Sequence, residues 1–190
     1  MLIVLEILSV CCNFLYLYYA IKQKPRAWLF GVAASISSFF LFYGHHLNGS
    51  AMLNIVYAIQ GIFGFMQWQF IQKNNYPSFR LKLKEHLFLI AFTLAIFAIL
   101  LLSFKSHFQS RAMQLDLLLA LFCILTTFLE IKKETACWYY WISLNALYTV
   151  LYSYQNLYGY AVLMFALGLF SIWALKEWTK KSKTELILST

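Results

Sequence analysis

The sequence predicts an all-α membrane protein with seven transmembrane helices, arranged as three helices, one linker helix and three more. Hydrophobic residues make up 62% of the 190 residues and charged residues only 12%, about half the charged share of a soluble domain. The chain also contains seven apolar runs of membrane-spanning length. Its two Pro and seven Gly supply too few turns for a barrel of many short strands.

Each apolar run is close to the roughly 20 residues that a helix needs to cross a bilayer core. Short connections that carry charge, Pro, Gly or Asn separate the runs. No basic segment precedes the first run, which favours a retained helix over a cleaved signal. The predicted helices cover about Leu2–Ile21, Ala27–Gly44, Ser50–Ile71, Glu85–Phe104, Arg111–Ile131, Cys137–Gln155 and Tyr158–Lys176.

An internal repeat appears when the chain is shifted by 110 residues against itself. The matched pairs include Glu6 with Asp116, Trp28 with Trp138, Gly49 with Gly159 and Trp68 with Trp178. Helices 1–3 therefore repeat as helices 5–7, and the single linker helix gives both copies the same orientation across the bilayer. Parallel repeats of this kind place a substrate site near the midplane, where the two bundles meet. The alternative is a duplication that only builds a stable bundle.

The repeat divides the chain into a first three-helix unit at 1–71, a linker helix with its flanking loops at 72–110, a second three-helix unit at 111–178 and a cytoplasmic tail at 179–190. Seven spans place alternate loops on opposite sides, and 13 of the 15 Lys and Arg residues then fall on one side. The positive-inside rule makes that side cytoplasmic, with the N-terminus outside and the C-terminus inside. The net charge of +8 is thus a sign of topology and not of nucleic-acid binding.

Amides and aromatic rings at membrane depth are the candidates for substrate binding, because polar groups are costly in hydrocarbon. On predicted helix 6, Trp138, Trp141, Asn145 and Tyr148 share one face by three- and four-residue spacing. Rings stack on a flat cation and attract its charge, while an amide bonds hydroxyl groups. The sequence therefore predicts a wall suited to a flat, cationic, hydroxylated solute.

Helices 3, 5 and 7 supply further candidates. Asn54 and Tyr57 lie along one face of helix 3, Gln60 lies near the midplane, and Trp173 lies deep in helix 7. Glu130 at the end of helix 5 either faces the path, where it favours a cation, or pairs with the neighbouring lysines. Each amide can instead join two helices, and Trp138, like Trp68, can belong to an interfacial belt.

The sequence shows no nucleophile elbow, phosphate-binding loop, paired catalytic carboxylates or dinucleotide fingerprint. Four histidines lie at loops or helix ends without metal-ligand spacing, so we expect them to be solvated: His45, His46, His86 and His107. We therefore predict no enzyme activity, no catalytic residue, no metal and no cofactor. A small-molecule substrate and the lipid bilayer are the expected partners.

Five motifs occur in a fixed order along nearly the whole chain. They are the acidic residue in Val4–Ile7, the aromatic-glycine segment Ile62–Trp68, the Trp138-x-x-Trp141 pair followed by Asn145, the turn at Leu157–Gly159 and the closing Lys176–Trp178. In these motifs and its seven-helix setting, the chain resembles the Pnu-type vitamin transporters. The name-giving group of that bacterial family is PnuC, which transports nicotinamide riboside.

The resemblance implies a three-plus-one-plus-three fold similar to that of the SWEET sugar carriers. It implies a homotrimer in the bacterial inner membrane that works by facilitated diffusion, without ion coupling. A cytoplasmic kinase would trap the substrate as its phosphate. By matching position, the implied binding residues are Asn54, Trp141, Asn145, Tyr148 and the Trp173 region.

The chain departs from the nicotinamide riboside pattern at four positions. Ala136 and Cys137 replace an acidic-amide pair, Asn54 stands where Gln is common, and Glu130 stands where an apolar residue is expected. Thiamine is also flat and cationic, and Glu130 could bond its aminopyrimidine. The sequence therefore predicts a transporter for a small cationic vitamin, with nicotinamide riboside first, thiamine second, and the riboflavin branch behind them. The rival classes are a non-transporting membrane scaffold, a sugar carrier and an intramembrane enzyme, the last of which would need a catalytic pair that the sequence does not show.

Overall fold

The computed structural model describes residues 2–44, 48–74, 80–104, 108 and 110–188; at 2, 48–50, 74 and 183–188 it describes the backbone alone. Within these residues the chain forms seven α-helices: α1 (Leu2–Ile21), α2 (Arg26–Gly44), α3 (Asn48–Asn74), α4 (Leu83–Ser103), α5 (Arg111–Ile131), α6 (Cys137–Tyr154) and α7 (Tyr158–Leu188). The prediction of seven helices is confirmed. The loop histidines His45, His46 and His107 lie outside the described residues.

The ends of two helices differ from the prediction. Helix α3 runs past Ile71 to Asn74, and α7 runs past Lys176 to Leu188. The segment 179–188, expected as a tail, is therefore helical. An apolar run marks where the bilayer ends and not where the helix ends. Neither Gly nor Pro follows Lys176, so nothing in the sequence stops α7 there.

Five of the described helices are long and apolar enough to cross a membrane: Ile3–Ile21, Arg26–Gly44, Leu83–Ser103, Arg111–Ile131 and Tyr158–Ser182. Helices α3 and α6 are not among them. Helix α3 carries Asn54, Gln60 and further amides, and α6 is rich in Trp and Tyr, which lower the mean hydropathy. The two helices with the most candidate side chains are thus the two least like simple lipid-facing spans.

The first compact unit contains residues 1–78, 130–133 and 176–190. In it α1 packs against α2, and α2 packs against α3. Glycines on α3 permit the second contact: a Cβ on Gly61 would lie 2.6 Å from Val32 Cγ2, and one on Gly64 would lie 2.3 Å from the Trp28 ring. Small residues at such positions let two helices approach closely.

The second compact unit contains residues 79–129 and 134–175. It holds α4, whose described side chains are mostly exposed or half-buried; Thr93 is the buried one. The segment before α4 is fixed by Glu134, which is only 4% exposed. The carboxylate of Glu134 accepts hydrogen bonds from the N–H groups of Leu81 at 2.6 Å and Ala136 at 3.1 Å.

The turns after α1 and α5 have the same backbone geometry. Each ends its helix with a residue at φ 55°, Gln23 in one and Lys133 in the other. Each also shows the paired bonds of a Schellman motif. The bonds are Gln23 to Ala20 and Lys24 to Tyr19 at 2.9 Å in the first turn, and Lys133 to Glu130 at 2.9 Å and Glu134 to Leu129 at 3.0 Å in the second. Each bonded residue in the first turn lies 110 positions before the corresponding residue in the second turn, which is the offset of the internal repeat.

Candidate functional site

The aromatic face of α6 lies in the second unit. Trp138 is 1% exposed and Asn145 is 7% exposed, while Trp141 and Tyr148 are half-buried. The rings of Tyr148 and Tyr152 stack with their centroids 5.5 Å apart and their planes 25° apart. Helical spacing has therefore placed one buried amide among partly accessible flat rings.

Asn145 joins α6 to α7. Its Nδ2 donates to Ser171 Oγ at 3.3 Å, and Ser171 Oγ donates in turn to the Leu167 carbonyl oxygen at 2.9 Å. The side-chain oxygen of Asn145 accepts no hydrogen bond from the residues that the structure describes. Ser171 fixes the amide by its nitrogen end and leaves the oxygen as an acceptor for a hydroxyl or amide group.

Trp173 does not share this buried setting. It is 42% exposed, and its ring contacts Phe170 with a centroid distance of 6.3 Å. The sequence places Trp173 correctly along the helix, but depth along a helix does not specify which face a side chain occupies. The contacts of Trp173 within the second unit therefore do not support a place for this residue in the candidate site.

The candidates on α3 lie in the first unit. Asn54, Tyr57 and Gln60 are each half-buried, and their three-residue spacing distributes them along one side of the helix. They provide two amides and a phenol hydroxyl as hydrogen-bonding groups.

Glu130 belongs to the first unit and is only 1% exposed. Tyr16 Oη donates to Glu130 Oε1 at 2.7 Å. Trp68 Nε1 donates to the backbone oxygens of Glu130 and Ile131, both at 3.1 Å. The acid therefore sits at the end of α5 as a buried carboxylate held by a phenol hydroxyl, and not as a solvated surface group.

A cluster of tryptophans lies in the same unit, and one of them, Trp68, bonds to the backbone of Glu130. Trp28 and Trp68 meet edge to face at 5.4 Å, and Trp68 and Trp178 lie 5.8 Å apart. Trp68 is 0% exposed and Trp138 in the second unit 1%, so the belt interpretation of both residues was wrong. Trp178 Nε1 donates to the Ala20 carbonyl oxygen at 3.1 Å. Its repeat mate Trp68 donates in the same way to the backbone carbonyl oxygen of Glu130.

Hydroxyl groups within the helices mostly donate to the backbone of their own helix. Ser37 bonds to Ala33, Thr126 to Phe122, Thr127 to Cys123 and Ser143 to Tyr139, each through the carbonyl one turn earlier. Ser38 instead bonds to Ser9 of α1 at 2.6 Å. These side chains stabilise helices and helix pairs, which is the usual role of Ser and Thr in membrane helices.

Sequence reasoning missed Tyr16, Ser171 and the partner of His86. Tyr16 and Ser171 bond partners 114 and 26 residues away, a separation that no local motif reports. For Ser171 the sequence carried a signal, because its spacing to Ala174 and Trp178 places the three residues on one helix face. His86, expected to be solvated, is half-buried in the first turn of α4, and its Nδ1 lies 3.1 Å from Tyr140 Oη.

Comparison with known proteins gives the family. The family model described as "Nicotinamide mononucleotide transporter" matches residues 3–180. The chain belongs to this family. As a member, it is a multi-pass membrane transporter and not an enzyme. Its partners therefore include a small-molecule substrate and membrane lipid.

A solved structure described as the crystal structure of the vitamin B3 transporter PnuC is similar to this family member. The TM-score is 0.75 at 21% sequence identity, and the match covers 95% of this chain and 83% of that one. The resemblance to the Pnu-type family is confirmed, and the helical fold is of the PnuC type. The search of curated proteins gave no match.

Proposed function

We propose that this family member carries nicotinamide riboside, a small cationic vitamin, across the bacterial inner membrane. The binding side chains are Asn54, Tyr57, Gln60, Glu130, Trp138, Trp141, Asn145, Tyr148 and Trp173. The assignment builds on membership of a transporter family and on the similarity to a vitamin B3 transporter.

The observation that carries the proposal is the setting of Asn145. Its nitrogen is held by Ser171, its oxygen is an available acceptor, and flat rings adjoin it on the same helix face. A ribose hydroxyl can donate to that oxygen. A pyridinium ring can stack on Trp141, with a gain of about 0.5–2 kcal/mol for a cation over an aromatic face.

The charge of the candidate residues favours a riboside over the mononucleotide in the family's name. The nine binding candidates include one acid and no Lys or Arg. A phosphate group in a desolvated site is bound by cations, typically an Arg fork or a Lys. We therefore expect the phosphorylated form to bind far more weakly than the riboside.

The transport mechanism follows from the repeat. We propose two like-oriented three-helix repeats joined by α4, as in the SWEET carriers, which move to expose the substrate first to one side and then to the other. The equal turns after α1 and α5 and the matched bonds of Trp68 and Trp178 support the duplication. A homotrimer with the N-terminus outside and the C-terminus inside completes this proposal.

Transport of this kind is facilitated diffusion. A carrier that is not coupled to an ion gradient only equilibrates its substrate, so net uptake needs a reaction that removes the product. A cytoplasmic kinase that phosphorylates the riboside would supply that reaction and trap the vitamin inside.

Calorimetric titration of the purified protein tests the assignment. Nicotinamide riboside, nicotinamide mononucleotide, thiamine and riboflavin are compared side by side. We expect the riboside to bind more tightly than the mononucleotide by at least tenfold. Equal or tighter binding of the mononucleotide contradicts the charge argument, and no binding of any vitamin contradicts the proposed function.

Thiamine is the second candidate because of Glu130. A buried carboxylate can accept from an aminopyrimidine, and this one already accepts from Tyr16. If thiamine is the cargo, Glu130→Gln should weaken its binding by about tenfold or more, since a hydrogen bond to a charged group contributes about 1.5–3 kcal/mol. Unchanged thiamine affinity in this variant leaves Glu130 with a structural role.

A further inference from the structure

An open groove of about 1120 Å³ lies in the first unit, where α1 ends, α2 begins and α3 comes to its last turns. Its lining residues include Lys24, Arg26, Leu29, Met66, Phe70 and Lys73. None of the candidate substrate residues lines it. The groove is therefore a feature separate from the proposed transport site.

The lining of the groove combines cationic, amide and apolar side chains. Lys24, Arg26 and Lys73 supply three positive charges, and none of the described lining residues is acidic. Gln69 and Gln72 add amide donors. Leu29 and Met66 line it with 51% and 61% of their surface exposed, and Phe70 with 56%.

Its position matches the boundary between the bilayer core and the headgroups. The apolar span of α1 ends at Ile21 and that of α2 begins at Arg26. The cations therefore lie at headgroup depth, and the exposed apolar side chains adjoin the acyl region. Basic grooves of this kind at helix ends bind the headgroups of anionic lipids.

The turn itself does not require these charges. The turn after α5 has the same backbone bonds, yet the positions equivalent to Lys24 and Arg26 are Glu134 and Ala136. Glu134 is buried there and bonds to backbone N–H groups. The cations of the groove are therefore specific to the first copy of the motif.

We propose that this groove binds an anionic phospholipid, with the phosphate on Lys24, Arg26 and Lys73 and an acyl chain along Leu29, Met66 and Phe70. Charge complementarity selects a lipid of net negative charge over a zwitterionic one. The exposed apolar side chains of the lining select a membrane lipid over a soluble phosphate compound.

Native mass spectrometry of the full chain in detergent micelles tests this site. Equal amounts of phosphatidylglycerol and phosphatidylcholine are added, and bound lipid is counted. We expect one phosphatidylglycerol to bind preferentially. Removing each cation should weaken its binding by about fivefold, and replacing all three by Gln should weaken it by about 100-fold.

The matched control removes the same charge elsewhere, with Arg80, Lys82 and Lys84 before and at the start of α4 replaced by Gln. All three are exposed, and we expect their replacement to change phosphatidylglycerol binding by less than threefold. Equal losses in both triple variants would overturn the site, because only net charge would then matter. Arg26→Gln alone serves as the test if the groove triple variant unfolds.

Two competition arms distinguish the ligand source. Phosphatidylcholine that displaces phosphatidylglycerol at equal concentration would overturn headgroup selection. Glycerol phosphate that displaces it at a similar concentration would overturn the lipid assignment in favour of a soluble anion. Failure of vitamin binding leaves this result unaffected, because no groove residue belongs to the transport site.

Discussion

At the scale of single residues, the candidate site combines side chains that the sequence indicates with bonding partners that the sequence does not reveal. Trp138, Trp141 and Asn145 could be predicted, because helical spacing alone places them on one face of α6. Ser171 and Tyr16 could not be predicted as the partners of Asn145 and Glu130, because each bond joins residues far apart in the chain. Residue spacing predicts which side chains share a helix face, whereas tertiary packing determines which residues that face contacts.

Trp141→Ala should reduce nicotinamide riboside uptake about 5- to 150-fold, because stacking of a base-like ring on an aromatic side chain contributes about 1–3 kcal/mol. The half-buried ring can be removed without opening a fully buried core. Uptake into cells that express equal amounts of the variant measures this. Tyr139→Ala is the control, since Tyr139 lies on the same helix but is 62% exposed. Normal uptake by Trp141→Ala would remove this residue from the site.

Tyr16→Phe should destabilise the protein, because it removes a donor from the buried carboxylate of Glu130. A hydrogen bond to a charged group contributes about 1.5–3 kcal/mol, so the unfolding midpoint in detergent should fall by several degrees. Tyr18→Phe is the control, as the hydroxyl of Tyr18 contacts only the exposed Lys22 among described partners. Equal midpoints for the two variants would contradict a stabilising role for this bond.

At the scale of helices, the apolar runs predict every helix but not every end. Helices α1 and α5 have the predicted bounds, since a charged turn follows each one directly. Helix α7 continues to Leu188, because a polar, helix-forming segment follows its apolar run.

Close contacts between helices are a second property that the apolar runs do not predict. Gly64 lies against Trp28, a packing that composition could not show.

Gly64→Ala should force α3 away from α2, because the new Cβ would lie 2.3 Å from the ring of Trp28. Overpacking of this kind costs about 1–3 kcal/mol. We therefore expect the thermal unfolding midpoint of Gly64→Ala in detergent to lie below that of the unmodified protein. Gly159→Ala is the matched control, since a Cβ there meets nothing within 4 Å and Ala favours a helix over Gly. A Gly64→Ala protein as stable as Gly159→Ala would show that α2 and α3 are not packed this closely.

At the scale of the whole molecule, the charge distribution and the repeat determine the proposed orientation. Thirteen of the 15 basic residues belong to one side in a seven-span topology. The sequence could predict the family and the helical fold, both of which the comparisons support. It could not identify the vitamin, because the selective contacts depend on side-chain partners and not on the helix pattern.

Protease protection tests the orientation. With a cleavable tag at each end of the chain, a protease added outside spheroplasts should remove the N-terminal tag and leave the C-terminal one. Permeabilised spheroplasts provide the control, in which both tags should be cleaved. Cleavage of both tags, or of the C-terminal tag alone, in intact spheroplasts would contradict an odd number of spans with this orientation.

Uptake of labelled nicotinamide riboside into liposomes that contain only the purified protein tests whether this protein carries the vitamin without ion coupling. We expect saturable entry that stops when the internal and external concentrations are equal and that neither a proton nor a sodium gradient changes. Entry no faster than into protein-free liposomes would contradict transport of this vitamin. Accumulation above the external concentration in response to an imposed ion gradient would contradict uncoupled diffusion.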